Sequence, residues 1–277
     1  MNTKHWKLIQ GFALAALLPL CAACSSEDDC LPQDADKQPV QVNITRATTD
    51  DISTWENNDV VKLFITQATG ASTTTTSTYD GASGWSNIEM ILPATVTAVY
   101  PSTATSASSF NLPTDQSDEA KFRSADYMTS ENQTVHNTPL SLTLNHRGCK
   151  VTVTISNYEG YPTPPTVSNE TFHSLSTIAY NNDSWTGTGT ATSITPLKTA
   201  SDTDGKHVYQ AIVAPCASYL PFMTLTVDGK ERTVNCNQAL ESGKAYTFDL
   251  SVTNNELILT PTDELPGWGT GDEEQII

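Results

Sequence analysis

Short runs in which apolar, β-branched residues alternate with polar ones recur along almost the whole chain, and they restrict its fold more than any other feature. Val40, Val42 and Ile44 alternate with polar neighbours. Val60–Ile65 is an apolar run, and Thr95–Tyr100 ends at Pro101. Leu140–Leu144 and Cys149–Ile155 alternate again. A period of two places every second side chain on one face, and Thr, Val and Ile are stiff at χ1 and suit a pleated surface. The pattern continues with Val208–Ala214, which stops at Pro215, and with Ala245–Val252 and Glu256–Thr260. Phe222–Val227 and Lys230–Cys236 flank Asp228-Gly229, a pair suited to the two positive-φ positions of a type I′ hairpin turn. No segment carries an amphipathic helical period. The expected class is all-β, and short strands separated by frequent turns point to β-sandwiches.

Other segments divide these strands. Ala71–Thr78 and Ser102–Ser109 are low in complexity and apolar content, and are expected to be exposed loops. Ser156–Glu170 contains Gly160, Pro162, Pro164 and Pro165, which disfavour both helix interiors and central strands. This places a boundary between two sandwiches, residues 39–160 and 161–277.

The N-terminus carries an address. Lys4 and Lys7 precede the apolar run Phe12–Leu20, which is too short for a stable membrane span. Ala22 and Ala23 then precede Cys24. Residues 1–23 read as a lipoprotein signal peptide, Cys24 as the lipidated first residue and 24–38 as an acidic tether. The box is imperfect, because Cys21 stands where Leu is usual. An ordinary secretory signal and a short anchor are the other readings. The whole chain carries a net charge of −17, and losing Lys4 and Lys7 with the signal takes it to −19. Such a chain repels phosphate backbones, so nucleic acid is not an expected partner.

Chemistry is sparse. The five histidines are scattered and none has ligand spacing to a second one. No Gly-rich phosphate loop and no Gly-x-Ser-x-Gly elbow occurs. Asp202-Thr-Asp204-Gly205 resembles part of a calcium loop but lacks the distal Glu, so an acidic turn is the preferred reading. No catalytic residue, metal site or cofactor is expected, and the chain does not read as an enzyme. Cys216 and Cys236 flank a hairpin, so either a disulfide or two core thiols is open. Trp55, Trp85, Trp185 and Trp268 are either core anchors or a glycan-binding platform.

Several segments, in order, resemble the fimbrillin family of Bacteroidetes. They are Thr45-Arg46-Ala47, Trp55, Asp59 with Val60–Phe64, Val99-Tyr100-Pro101, Asp126-Tyr127-Met128, Leu142–Val153, Ala211–Pro215, Leu240–Tyr246 and Pro266–Gly269. Gly148-Cys149 departs from the usual Leu-Ala of the core stretch. Glu27, Asp28 and Asp29 behind Cys24 resemble the family's acidic export tag, with a solvated acidic linker as the plainer reading. The resemblance implies two tandem transthyretin-like β-sandwich domains and a subunit of a type V pilus. It implies export as a lipoprotein to the outer membrane surface, or residence in the fimbrium. It also implies proteolysis after an arginine, loss of the first strand and donor-strand exchange.

On that reading Arg46-Ala47 is the candidate processing site, and Val40, Val42 and Ile44 form the strand removed. Arg46 as a mere conformational feature of the first turn is weighed evenly against it. Partners would be other pilus subunits, the outer membrane through the lipid on Cys24, and host or bacterial surface ligands. The donor could be the Glu256–Thr260 strand. Shaft, tip and anchor roles stay open. The alternative function is a monomeric surface glycan-binding lipoprotein.

Overall fold

The computed structural model describes residues 37–47, 55–201 and 206–265. Cys24, Cys30, Asp202–Gly205 and Trp268 lie outside them. The described chain is nearly all β, with one short helix.

The first sheet runs Val42–Arg46, Leu140–His146, Met128–Thr129, Ala94–Tyr100, Val60–Gln67, Ser72–Asp80, Gly84–Trp85, with Gln133–Val135 added beside Ala94–Tyr100. Gln38–Val40 leaves this sheet and pairs antiparallel with Ile88–Met90. The first strand segment therefore spans two sheets. Their inward faces share one core that includes Val42, Leu63, Val96 and Leu144.

A second pair of sheets follows. One has the order Leu197–Ser201, His207–Val213, Cys149–Glu159, Ala245–Thr253, Leu257–Leu265. The other has Ser184–Ile194, Val167–Asn181, Tyr219–Val227, Lys230–Cys236, and Ser109–Asn111 also pairs with Val167–Asn181. Val151, Val153, Phe172, Phe222 and Phe248 pack in the core between them. A third cluster, including Phe110, Phe122, Tyr127, Ile178 and Ile212, draws on both halves of the chain. Gln116 ties them further: its side chain donates to the Ile212 carbonyl at 2.9 Å and accepts from the Ile212 N–H at 2.8 Å.

The chain changes sheets at Arg147-Gly148, so Cys149–Glu159 pairs with later strands rather than with the first half. The prolines of Ser156–Glu170 instead follow that strand. Gly148 is where a side chain could not fit, since a Cβ would lie 2.6 Å from Ile212 Cγ2.

Asp228 and Gly229 take φ of +46° and +77°, and Val227 pairs with Lys230, as the turn chemistry requires. Of Ser102–Ser109, residues Ser102–Ser108 lie outside regular strands, but Ala104 is buried and Ser109 opens a short strand. Ala71–Thr78 differs: Ser72–Asp80 is a strand, paired along its length with Val60–Gln67. A Thr-rich run lacks the apolar content to be a core strand, yet Thr is a good strand former and a neighbouring edge supplies the hydrogen bonds. Only Ser77 is fully buried there, donating to the Ser86 carbonyl at 2.7 Å.

The helix Glu119–Ala125 is also absent from the sequence expectation. Seven residues are too few to show a period, but its N-cap is legible: the Asp118 carboxylate accepts from the Lys121 N–H at 2.9 Å. Phe122 and Ala125, three apart, face the core. Arg123 belongs to this helix.

Candidate functional site

The first strand segment, Gln38–Val40 and Val42–Arg46, is the terminal described segment and lies at a sheet edge. Its alternation decides its orientation. Val40, Val42 and Ile44 are 0, 4 and 2 % exposed, whereas Gln41, Asn43 and Thr45 face solvent. The three apolar side chains are thus one wall of the first core.

The segment Val42–Arg46 runs parallel to Leu140–His146, with Val42, Ile44 and Arg46 opposite Leu140, Leu142 and Leu144. The Gln41 carbonyl accepts from the Leu140 N–H at 2.8 Å, and the Ala47 N–H donates to the Leu144 carbonyl at 2.9 Å. Backbone groups alternate along a strand, so the Ile44 carbonyl points to the opposite, outer edge. Two indoles meet it there. Trp55 Nε1 donates at 3.0 Å and Trp85 Nε1 at 2.9 Å, using both lone pairs of one carbonyl. The outer edge at Ile44 is therefore met by side chains instead of by a neighbouring strand.

Arg46 continues the inward face and so buries a guanidinium where the pattern calls for an apolar group. Its side chain is 1 % exposed. Its Cζ sits 4.0 Å from the Trp55 ring centroid and 5.0 Å from that of Tyr100. Asp59 Oδ2 lies 3.7 Å from Arg46 Nη2 and 3.0 Å from Arg123 Nη2. Arg123 also pairs with Glu56 at 2.9 Å. The site alternates charges, with aromatic faces sharing the cation. Burial pulls the Arg46 guanidinium below its usual pKa, opposed by Asp126, Tyr100 and Asp59. Burial, reinforced by Asp59, raises the Tyr100 hydroxyl. Asp126, also buried, meets His146 Nδ1 at 2.6 Å.

The structure thus brings all the described candidate residues, Val40, Val42, Ile44, Arg46 and Ala47, onto one segment, with Arg46 enclosed. A peptidase acting on arginine needs that side chain free to enter its own pocket. In the closed fold it is already occupied by Trp55, Tyr100 and Asp59. The sequence presents Asp59 as a motif position, and Trp55 as a motif position and as one of the tryptophans open to a core or a glycan-binding role. That these two residues hold Arg46 and Ile44 depends on contacts the sequence does not display.

Trp85 is buried, and Trp55 and Tyr79 pack against the same core. Trp185 is half-buried against the cluster drawn from both halves. Cys216 and Cys236 are free thiols, as is Cys149. Cys216 Sγ faces the Ser218 carbonyl at 3.0 Å, and Cys236 lies opposite Tyr219. Among the described residues no group of three or more His, Cys, Asp or Glu is placed to hold a metal ion.

Comparison with known proteins gives this geometry its context. A family model described as fimbrillin-like matches residues 45–264. No curated protein matches the sequence. Among solved structures, a candidate cell adhesion protein from Bacteroides ovatus is similar with a TM-score of 0.59 at 13 % identity, covering 85 % of this chain and 99 % of that one. One from Bacteroides uniformis has a TM-score of 0.59 at 17 % identity, covering 86 % and 99 %. A candidate polysaccharide-binding protein from Bacteroides thetaiotaomicron has a TM-score of 0.51 at 10 % identity, covering 83 % and 99 %. At these identities the likeness is one of fold.

Proposed function

This chain belongs to the fimbrillin-like family, and from that premise we propose that it is a fimbrial subunit whose own first strand closes the groove into which another subunit's strand is later exchanged. The family makes it a cell-surface fimbrial or adhesive protein, associated with other fimbrial subunits. The observation that carries the finer reading is the edge placement of residues 38–46 with Val40, Val42 and Ile44 in the core.

Removing that segment would leave the Leu140–His146 edge unpaired beside an open apolar wall. An incoming strand restores both, with ladder hydrogen bonds and alternating side chains in the vacated pockets. It must also present a carbonyl at the place of Ile44 for Trp55 and Trp85. Cleavage after Arg46 would release residues 38–46 together with the lipid on Cys24. Because Arg46 is enclosed, the strand must first lift. The Arg46–Asp59 contact then acts as a latch on the processing site.

The Leu257–Leu265 strand is a donor candidate. It forms the other sheet's edge, pairs among the described residues only with Ala245–Thr253, and Leu257 and Leu259 are only partly buried. Two domains remain the proposal, with the exchange groove in the first, but the second begins near Cys149 rather than at 161, because Cys149–Glu159 pairs with His207–Val213 and Ala245–Thr253. Lipidation at Cys24 and the acidic tether give the precursor its place on the outer membrane before cleavage.

The test is the N-terminal residue of protein recovered from the cell surface, read by mass spectrometry with electrophoresis after mild heating. A start at Ala47 and ladders resistant to SDS support exchange. A lipidated Cys24 alone, with monomers, refutes the polymerising reading.

A further inference from the structure

An open cleft of about 570 Å³ lies where strands of the two halves of the chain meet. That is within the usual size of small-molecule sites, about 300–1,000 Å³, and junctions of this kind are where such sites recur. One wall is the tip of the hairpin formed by Val167–Asn181 and Ser184–Ile194. Asn182 and Asp183 take φ of +49° and +61°, the two positive values of a tight I′ turn. The turn makes Tyr180 and Trp185 cross-strand partners, with ring centroids 5.3 Å apart. Tyr180 is 47 % exposed, one of two large apolar side chains exposed among the described residues. Its backbone is held by a 2.8 Å bond from its N–H to the Ser108 carbonyl. Trp185 backs it and is fixed in turn by Tyr127, at 5.7 Å between centroids.

The opposite wall comes from the first half and is polar. Glu131 and Asn132 stand exposed at the rim. Arg147 lies between the walls, its Cζ 4.9 Å from the Trp185 ring and its Nη2 3.0 Å from Glu131 Oε1. Arg147 Nε also donates to Thr129 Oγ1 at 2.7 Å. Its charge is therefore engaged by Glu131 and the indole face. Asp183 offers hydrogen-bond acceptors, and Asn132, whose Oδ1 already accepts from the Thr97 hydroxyl, offers its amide donor around an aromatic face.

We propose that this cleft binds a neutral saccharide, one pyranose face stacking on Tyr180 with its hydroxyls toward Asn132, Asp183 and Glu131. The chemistry selects against other small ligands. An anion would meet two carboxylates on a chain of net charge −17. A cation would find Glu131 already paired with Arg147. A purely apolar ligand would strand the rim's polar groups. A saccharide offers an apolar C–H face and hydroxyls that both donate and accept, and Tyr suits it with an apolar ring and a polar tip. The residues involved lie outside 38–46, so the site does not depend on strand exchange.

The test is calorimetric titration of the full chain with neutral gluco-, manno-, galacto- and xylo-oligosaccharides, a sulfated oligosaccharide and a Lys-rich peptide. Binding of at least one neutral oligosaccharide is expected. Tyr180→Ala should weaken it about tenfold by removing the stacking face, and Asn132→Ala should weaken it too. Tyr180→Phe, which keeps the ring, should stay within about threefold. The unfolding midpoint of each variant, measured alongside, must match the parent. Three results overturn the proposal: no neutral saccharide bound up to ~10 mM, binding indifferent to Tyr180→Ala, or binding of only the peptide or the sulfated ligand.

Discussion

Replacing Ile44 by alanine tests the strand and the latch together. Ile44 is 2 % exposed and sits in the first core between Val42 and Arg46 on the inward face. Truncating a buried Ile costs about 2–5 kcal/mol, from lost transfer energy and the cavity left behind. Asn43, on the outward face, is the control, and its replacement by alanine should change stability by no more than about 0.5 kcal/mol. If cleavage after Arg46 needs the strand to lift, and lifting is fast, the cutting rate follows the open population. A loss of about 2 kcal/mol in closing energy raises that population roughly thirtyfold, and larger losses raise it further. The assay incubates each variant with an arginine-specific endopeptidase under native conditions and follows the 1–46 fragment by mass spectrometry. Denaturant unfolding of the same samples gives the stability change. Ile44→Ala should accelerate this cut at least tenfold over Asn43→Ala. An Ile44→Ala variant that is destabilised but cut at the parental rate would refute the claim that enclosure of Arg46 gates its cleavage.

Further predictions concern the charges and thiols. Asp59→Asn removes the carboxylate shared by Arg46 and Arg123. It should cost about 3 kcal/mol in denaturant unfolding, as breaking a largely buried pair does. His173, whose Nε2 lies 2.8 Å from Thr224 Oγ1, has its pKa lowered by burial. The unfolded chain then holds the proton more tightly, so the contribution of His173 is present above about pH 6.5 and is lost as pH falls through its folded pKa. His173→Gln should flatten the fall in unfolding midpoint between pH 7.5 and 5.5; an unchanged slope would exclude the assignment. Burial raises the Cys149 thiol well above its usual range, and its Sγ faces the Glu241 carbonyl at 3.0 Å. Among the described cysteines, a thiol reagent on native protein should label Cys216 first and Cys149 only on unfolding, as peptide mapping would reveal.

The apolar alternations at 40–44, 140–144 and 149–155 became strands with the expected faces inward, because the period is written in neighbouring residues. The Asp228-Gly229 turn was legible for the same reason. What eluded sequence reading depends on partners. The Thr-rich 72–80 run became a strand because Val60–Gln67 offered it an edge. Cys149–Glu159 joined the second pair of sheets because His207–Val213 and Ala245–Thr253 flank it there. Trp85 went to the core, while Tyr180, unremarkable in sequence, was left exposed beside a cleft.

The sequence by itself determined the class of structure, the inward faces of alternating strands such as those at 40–44, 140–144 and 149–155, and the family. These follow from local periodicity, turn stereochemistry and the order of motifs. The tertiary structure alone decided that residues 42–46 lie parallel to 140–146, that two indoles meet the Ile44 carbonyl and that Arg46 is enclosed. It alone set Tyr180 opposite Glu131 and Asn132. Each of these joins residues far apart in the chain, where contact depends on how the sheets pack and not on any pattern along them.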